Sequence, residues 1–121
     1  MTPDTNDTVY TVALRGNRFL MVWNPKRNGW EMPGGHVQLG ESRLDAAKRE
    51  FREEAGYEIE IRDVRDLGYC RVFAAHLGPR TPNACEMTAQ LFDAIPTPLF
   101  FDRTEYEEVI PWARTVLSTN H

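Results

Sequence analysis

Cysteine is scarce: Cys70 and Cys85 are the only two in 121 residues. With so few thiols and no secretory type of start, both are expected to be free packing residues rather than a disulfide. A zinc core is disfavoured as well, since neither a CxxC nor an HxxxH spacing occurs. Long apolar runs are missing; none approaches the roughly 20 residues that a membrane span needs. The opening "MTPDTND" has neither the basic nor the apolar part of a signal peptide. A cytoplasmic protein with no membrane partner is the expectation. Positive charge is not in excess either. A net charge of −4 and a pI near 5.3 weigh against a nucleic-acid partner. An anionic small molecule stays open as substrate, because a bound divalent cation inverts local charge. There is no internal repeat and no low-complexity tract. What remains is an ordinary globular composition, 41% hydrophobic and 26% charged, which argues against disorder. It suits one domain over residues 1–121 with one core.

After a frayed polar start, "TVYTVALRGNRFLMVWN" predicts two strands around a Gly16-Asn17 turn. "PKRNG" is a polar loop with two cations, Lys26 and Arg27. "WEMPGGHVQLGE" is extended structure broken by Pro33, Gly34 and Gly35. Ser42 offers an N-cap with Asp45 three residues on, so a helix should run from Arg43 to Ala55 and stop at Gly56. Strand, turn and strand follow in "YEIEIRDVRDLGYCRVFAAHL", then a loop "GPRTPNA" and an alternating strand "CEMTAQLFDAI". "PTPLFFDRTEYEEV" reads as a loop that turns acidic, with Pro111 opening a short final helix, "PWARTVL". Strands on both sides of one strong helix, with another helix at the end, indicate an α/β or α+β sandwich.

The strong helix contains "REFREEAGY", which gathers Glu50, Glu53 and Glu54. Like charges one turn apart repel by roughly 0.2–0.5 kcal/mol per pair. At about 100° per residue, with Glu50 at zero, Glu54 falls at roughly +40°, Glu53 at roughly −60° and Ala46 at roughly −40°. Leu44, Ala47, Phe51 and Ala55 make the apolar stripe, while Asp45, Lys48, Arg49 and Arg52 fill the other side. Arg43 lies near the glutamates but at the helix start. The glutamates thus sit on the margin of the buried face. Arg49 with Glu53 would fit a solvated i,i+4 pair, but Glu50 with Glu54 breaks that pattern. Carboxylates crowded at a core edge raise one another's pKa unless a cation holds them ionised. Oxygen ligands without histidine or cysteine suit Mg²⁺ or Mn²⁺.

Gly35, five residues, Glu41, seven residues and then Arg49-Glu50-Phe51-Arg52-Glu53-Glu54-Ala55-Gly56-Tyr57 make a longer pattern. It resembles the Nudix box, GX5EX7REUXEEXGU, at all seven fixed positions, with aromatic Phe51 and Tyr57 where U is a bulky apolar residue. A chance match at one start is on the order of 10⁻⁸ at average composition. The resemblance implies a Nudix-type α/β/α sandwich around a mixed sheet, with a catalytic loop–helix–loop. It implies hydrolysis of a nucleoside diphosphate linked to another group, with Mg²⁺ or Mn²⁺ as cofactor. On that analogy Glu50, Glu53, Glu54 and the Gly34 carbonyl are the metal positions. Glu41 and Arg49 orient the site, and the catalytic base is one of the acids. Some relatives recruit an acid from a later loop; here "DRTEYEE" supplies Asp102, Glu105, Glu107 and Glu108, with Glu105 the first choice. Glu86, at a strand start, is a further candidate.

"RNGWEMPGGHVQLGES" is similar to a segment of the MutT-like nucleoside-triphosphatases that clear oxidised nucleotides, with Met32 and His36 where that group has Phe and Lys. Gly35, His36 and Arg27 are then candidate substrate contacts, and Trp23, Trp30 and Tyr10 could stack a base or serve the core. The implied reaction turns a nucleoside triphosphate, oxidised or not, into nucleoside monophosphate and pyrophosphate. ADP-ribose and dinucleotide polyphosphates are alternative substrates within the same chemistry. A non-catalytic Nudix-like nucleotide sensor is another reading, but it predicts lost carboxylates and all are present. A decapping or nucleic-acid role is disfavoured by the short acidic chain. Many relatives dimerise, so a homodimer stays open; Phe100 and Phe101 could face an interface or belong to the core.

Overall fold

The computed structural model describes residues 4–118. In chain order come β1 (Asp4–Arg15), β2 (Arg18–Asn24), β3 (Gly29–Glu31), β4 (Gly34–Gln38) and α1 (Arg43–Ala55). They are followed by β5 (Tyr57–Asp66), β6 (Arg71–Arg80), β7 (Thr88–Phe92) and α2 (Arg103–Ser118). Among the described residues all seven strands join one sheet, whose main path is β3-β2-β1-β6-β5. β1 runs parallel to β6 and antiparallel to β2 and β4, so the sheet is mixed. β2 also pairs with β3 and β7.

Period-2 alternation along β1 divides the core between the two helices. Tyr10, Val12 and Leu14 face α2, where they meet Tyr106, Val109, Ile110, Ala113 and Leu117. Val9 and Ala13 face α1, with Ala46 and Ala47 around Val9 and with Phe51 and Ala55 around Ala13. The result is the three-layer sandwich expected from the motif. Both cysteines are free, as expected, with Cys70 buried.

Helix α1 keeps its predicted bounds because both ends are specified locally. The Ser42 hydroxyl accepts the Asp45 N–H at 3.0 Å. Gly56 turns left-handed at φ 77° and donates to the Phe51 and Arg52 carbonyls. One stripe position differs. Leu44 is 42% exposed, while Ala46 is fully buried, so the buried face is turned toward the glutamate side.

Elsewhere tertiary pairing moves the boundaries. The polar start is already strand from Asp4, because Thr5 donates its hydroxyl to the Val37 carbonyl and Asp4 pairs with Gln38; Met1 to Pro3 lie outside the described residues. The break in "WEMPGG" falls at Met32-Pro33 alone, and Gly34 and Gly35 belong to β4. β6 continues through Pro79, which lies beyond the last pair with β1, beside an irregularity in the ladder to β5. β7 is limited to Thr88–Phe92, because the N–H groups of Glu86 and Met87 donate to the Glu53 and Glu54 carbonyls instead. The acidic "DRTEYEE" is helix from Arg103 on rather than loop, and Pro111 lies inside α2 instead of opening a helix. Asp102 accepts the Thr104 N–H at the helix start. An interior proline costs about 3 kcal/mol, which burial of Tyr106, Val109, Ile110 and Leu117 offsets.

Replacing the cap should show how far α1 depends on it. Ser42→Ala is expected to lower unfolding free energy by about 1 kcal/mol in urea titrations, with an unchanged m-value.

Candidate active site

A cleft of about 800 Å³ draws its walls from both faces of the sheet. Glu54 reaches it from α1, and Glu105 and Tyr106 reach it from α2. Gly34, Gly35 and His36 come from β4, Glu31 from β3, and Lys26 and Arg27 from the loop before β3. Glu86 and Met87 enter from the loop ahead of β7, fastened to the end of α1 by Glu86 N–H to Glu53 O at 2.8 Å and Met87 N–H to Glu54 O at 3.1 Å. Those bonds satisfy two of the carbonyls that a helix C-terminus leaves open.

Beside the cleft, Arg49 uses all five of its N–H donors. Nε and one Nη donate to the two Glu41 oxygens at 2.8 and 3.0 Å. The other Nη donates to Glu50 at 2.8 Å and Glu53 at 3.1 Å, and the His36 carbonyl accepts the last proton at 3.0 Å. Glu41 in turn accepts the Gln38 N–H, tying the loop after β4 to the helix. Its carboxyl is held below the usual range by these Arg49 bonds. Arg43 is drawn off by Asp7, at 2.6 Å, and takes no part.

The three box glutamates are therefore unequal. Glu53 is half exposed on its side chain and paired with Arg49. Glu54 is only 8% exposed and accepts the Gly34 N–H at 3.1 Å. Burial, reinforced by the charge of Glu50, pushes its pKa up to about 8. Burial also raises Glu50, against the opposing pull of Arg49. A Cβ on Gly35 would overlap the Glu50 carboxylate and displace it, while one on Gly34 would strike the Val9 carbonyl of the backbone. Among the described residues no three His, Cys, Asp or Glu side chains are gathered to hold a metal ion. The cation between Glu50 and Glu53 is the Arg49 guanidinium. Glu50, Glu54 and the Gly34 backbone nonetheless present only oxygen ligands, two of them carboxylates kept from water, which is chemistry that fits Mg²⁺ or Mn²⁺.

The other expected residues divide by location. Arg27 lies at the cleft, bonded to Glu31 at 3.4 Å and stacked over Phe100 at 4.7 Å and Phe101 at 5.4 Å. His36 also lines the cleft, its ring nitrogen 3.2 Å from the Thr5 carbonyl. Trp23 and Trp30 are outside the lining. They meet edge to face at 5.5 Å, and Trp30 packs on Phe92 at 4.8 Å and against the α2 side of the core. Glu105 accepts hydrogen bonds from the hydroxyls of Tyr10, at 2.7 Å, and Tyr69. Sequence reasoning passed over Glu31 and Tyr69. Glu31 is buried and its pKa is raised by that burial, and its inward position follows from alternation between Trp30 and Met32. Tyr69 carries no local signal.

A raised Glu54 makes the ligand-free fold pH-dependent. Between its ordinary value of 4.5 and about 8, the folded chain keeps a proton that the unfolded chain has lost. Stability must then fall with rising pH across that window, by at most about 1.4 kcal/mol per unit. Melting curves in chelator should show this slope in the native protein and lose most of it in Glu54→Gln, which should melt higher at pH 8.

The NUDIX domain profile matches residues 4–114. An uncharacterised Nudix hydrolase of Bacillus subtilis is 42% identical over 48 residues, 40% of this chain and 30% of its own length. A probable DHNTP pyrophosphohydrolase of Lactococcus lactis is 34% identical over 55 residues, 46% of this chain and 33% of its own length. The matched stretch thus spans about a third of each of these curated relatives. The solved structure of an ADP-ribose pyrophosphatase from Streptococcus suis superposes with a TM-score of 0.75 at 22% identity, covering 99% of this chain and 96% of that one. With the profile running over nearly the whole described chain and the fold shared, this protein belongs to the Nudix family.

Proposed function

We propose that the protein is a hydrolase of phosphoric anhydride bonds in nucleoside diphosphate derivatives, acting on a nucleoside triphosphate to release nucleoside monophosphate and pyrophosphate. The observation that carries this reading is the buried Glu54, set beside Gly34 and Glu50 at the wall of a cleft large enough for a nucleotide. A divalent cation held by Glu50, Glu53, Glu54 and the Gly34 carbonyl would supply neutralisation of polyphosphate charge.

The chain's own residues do the rest. Arg49 and Glu41 fix the loop before α1 against the helix, so Gly34 and Gly35 present backbone to the substrate rather than side chains. Lys26 and Arg27 also line the cleft and are the cations we assign to the phosphates. Water attacks the anhydride and yields its proton to a carboxylate as the bridging P–O bond breaks. Glu54, a carboxylate at the cleft beside Gly34, is our choice to take that proton. Glu86 and Glu105 are the remaining acids lining the cleft besides Glu31. The similarity to a probable DHNTP pyrophosphohydrolase supports a triphosphate substrate over ADP-ribose.

A panel of nucleoside triphosphates, ADP-ribose and dinucleotide polyphosphates with Mg²⁺ and Mn²⁺ tests this. Pyrophosphate release from a triphosphate is expected, falling about 100-fold or more in Glu54→Gln. Undiminished turnover in that variant would remove Glu54 from the chemistry. Tight nucleotide binding with no turnover of any compound would mark a sensor instead.

A further inference from the structure

Glu105 is held in a way that neither the helix nor the hydrolytic chemistry requires. Tyr10, on β1, donates its hydroxyl to one carboxylate oxygen at 2.7 Å, and Tyr69, in the turn between β5 and β6, donates to the other. Three segments far apart in the chain therefore aim one carboxylate. Burial and the neighbouring Glu105 raise the pKa of both phenols, so they remain protonated donors. Each carboxylate oxygen retains a second lone pair for another donor. Around it lie aromatic and apolar surfaces: Tyr10, Tyr69, Cys70 and Tyr106 all line the cleft. Tyr106 is itself locked, accepting the Met32 N–H at 3.1 Å and meeting Tyr10 edge to face at 6.0 Å. Glu54 reaches the same cleft from the helix on the other face of the sheet. A nucleotide with its phosphates at α1 would bring its ring toward this corner.

Resting on the hydrolase reading above, we propose that Glu105 is the specificity-determining residue and reads the paired N–H donors of a 2-amino-4-oxopyrimidine edge, the edge shared by guanine and pterin rings. That edge places a ring N–H beside an exocyclic amino group, and a carboxylate accepts both in parallel. Adenine and cytosine set one donor beside a lone pair, and uracil and thymine set a single N–H between two carbonyls, so each meets the carboxylate with repulsion. Oxidation of guanine at C8 leaves the edge unchanged. Tyr10 and Tyr69 act as positioning residues that fix the carboxylate plane.

The test compares kcat and KM for dGTP, its 8-oxo form, dihydroneopterin triphosphate, dATP, dCTP and dTTP. The enzymes are the native protein, Glu105→Gln and Tyr69→Phe. Native kcat/KM should favour the 2-amino-4-oxo substrates by about tenfold or more. The guanine and pterin arms show which ring is preferred. Glu105→Gln should collapse the preference, since an amide cannot offer two acceptors. Tyr69 is 66% exposed, so Tyr69→Phe should fold, and it should weaken the preference through KM. Equal use of all bases by the native enzyme overturns the assignment. So does a Glu105→Gln enzyme that loses kcat evenly on every base while keeping its preference. No hydrolysis of any compound would instead count against the hydrolase reading itself.

Discussion

Arg49 is the interaction on which the site depends. A guanidinium offers five donors in a rigid plane, and here each finds an oxygen: two on Glu41, one each on Glu50 and Glu53, and one on the His36 carbonyl. These partners come from a strand, a loop and a helix, so one side chain sets the distance between the loop and α1. A lysine would bring a single point charge and three donors, too few for the same set. The same guanidinium answers the repulsion among the glutamates, which on a bare helix would work against folding.

Around that centre the fold accepts unfavourable placements. Among the described residues Glu54 is buried with only the Gly34 N–H hydrogen-bonded to it, and Glu50 lies where a Cβ on Gly35 would displace its carboxylate. Phe51, Ala47 and Ala55, on the same helix, supply the apolar contact that keeps α1 against the sheet despite this. The helix thus carries a stabilising face and a destabilising margin side by side. A charged margin beside a packed face gives the proposed cation site a rigid support.

Much of the architecture was legible because it rests on short-range chemistry. The bounds of α1 follow from Ser42 and Gly56, each acting within four or five residues. The β1–β2 hairpin follows from Gly16-Asn17. Errors arose where a distant partner overrode a local signal. Pro111 reads as a helix start, yet the buried stripe from Tyr106 to Leu117 carries α2 through it. Cys85 to Met87 reads as strand, yet the Glu86 and Met87 N–H groups belong to α1. Trp23 and Trp30 left base stacking and core packing both open to sequence reasoning, and only the strand pairing brings them against each other and Phe92.

By itself the sequence determined the motif, the helix that carries it and the oxygen-only chemistry of its glutamates, because spacing along one helix converts directly into geometry. Tertiary structure alone decided which carboxylates lose contact with water, and so which have their pKa raised. It also brought Glu31, Glu86 and Glu105 to one cleft and set two tyrosines from separate strands and turns against the last of them. Those contacts join residues as much as 95 positions apart. No local pattern encodes such a meeting; it follows from how the sheet orders its strands and from which face each helix covers.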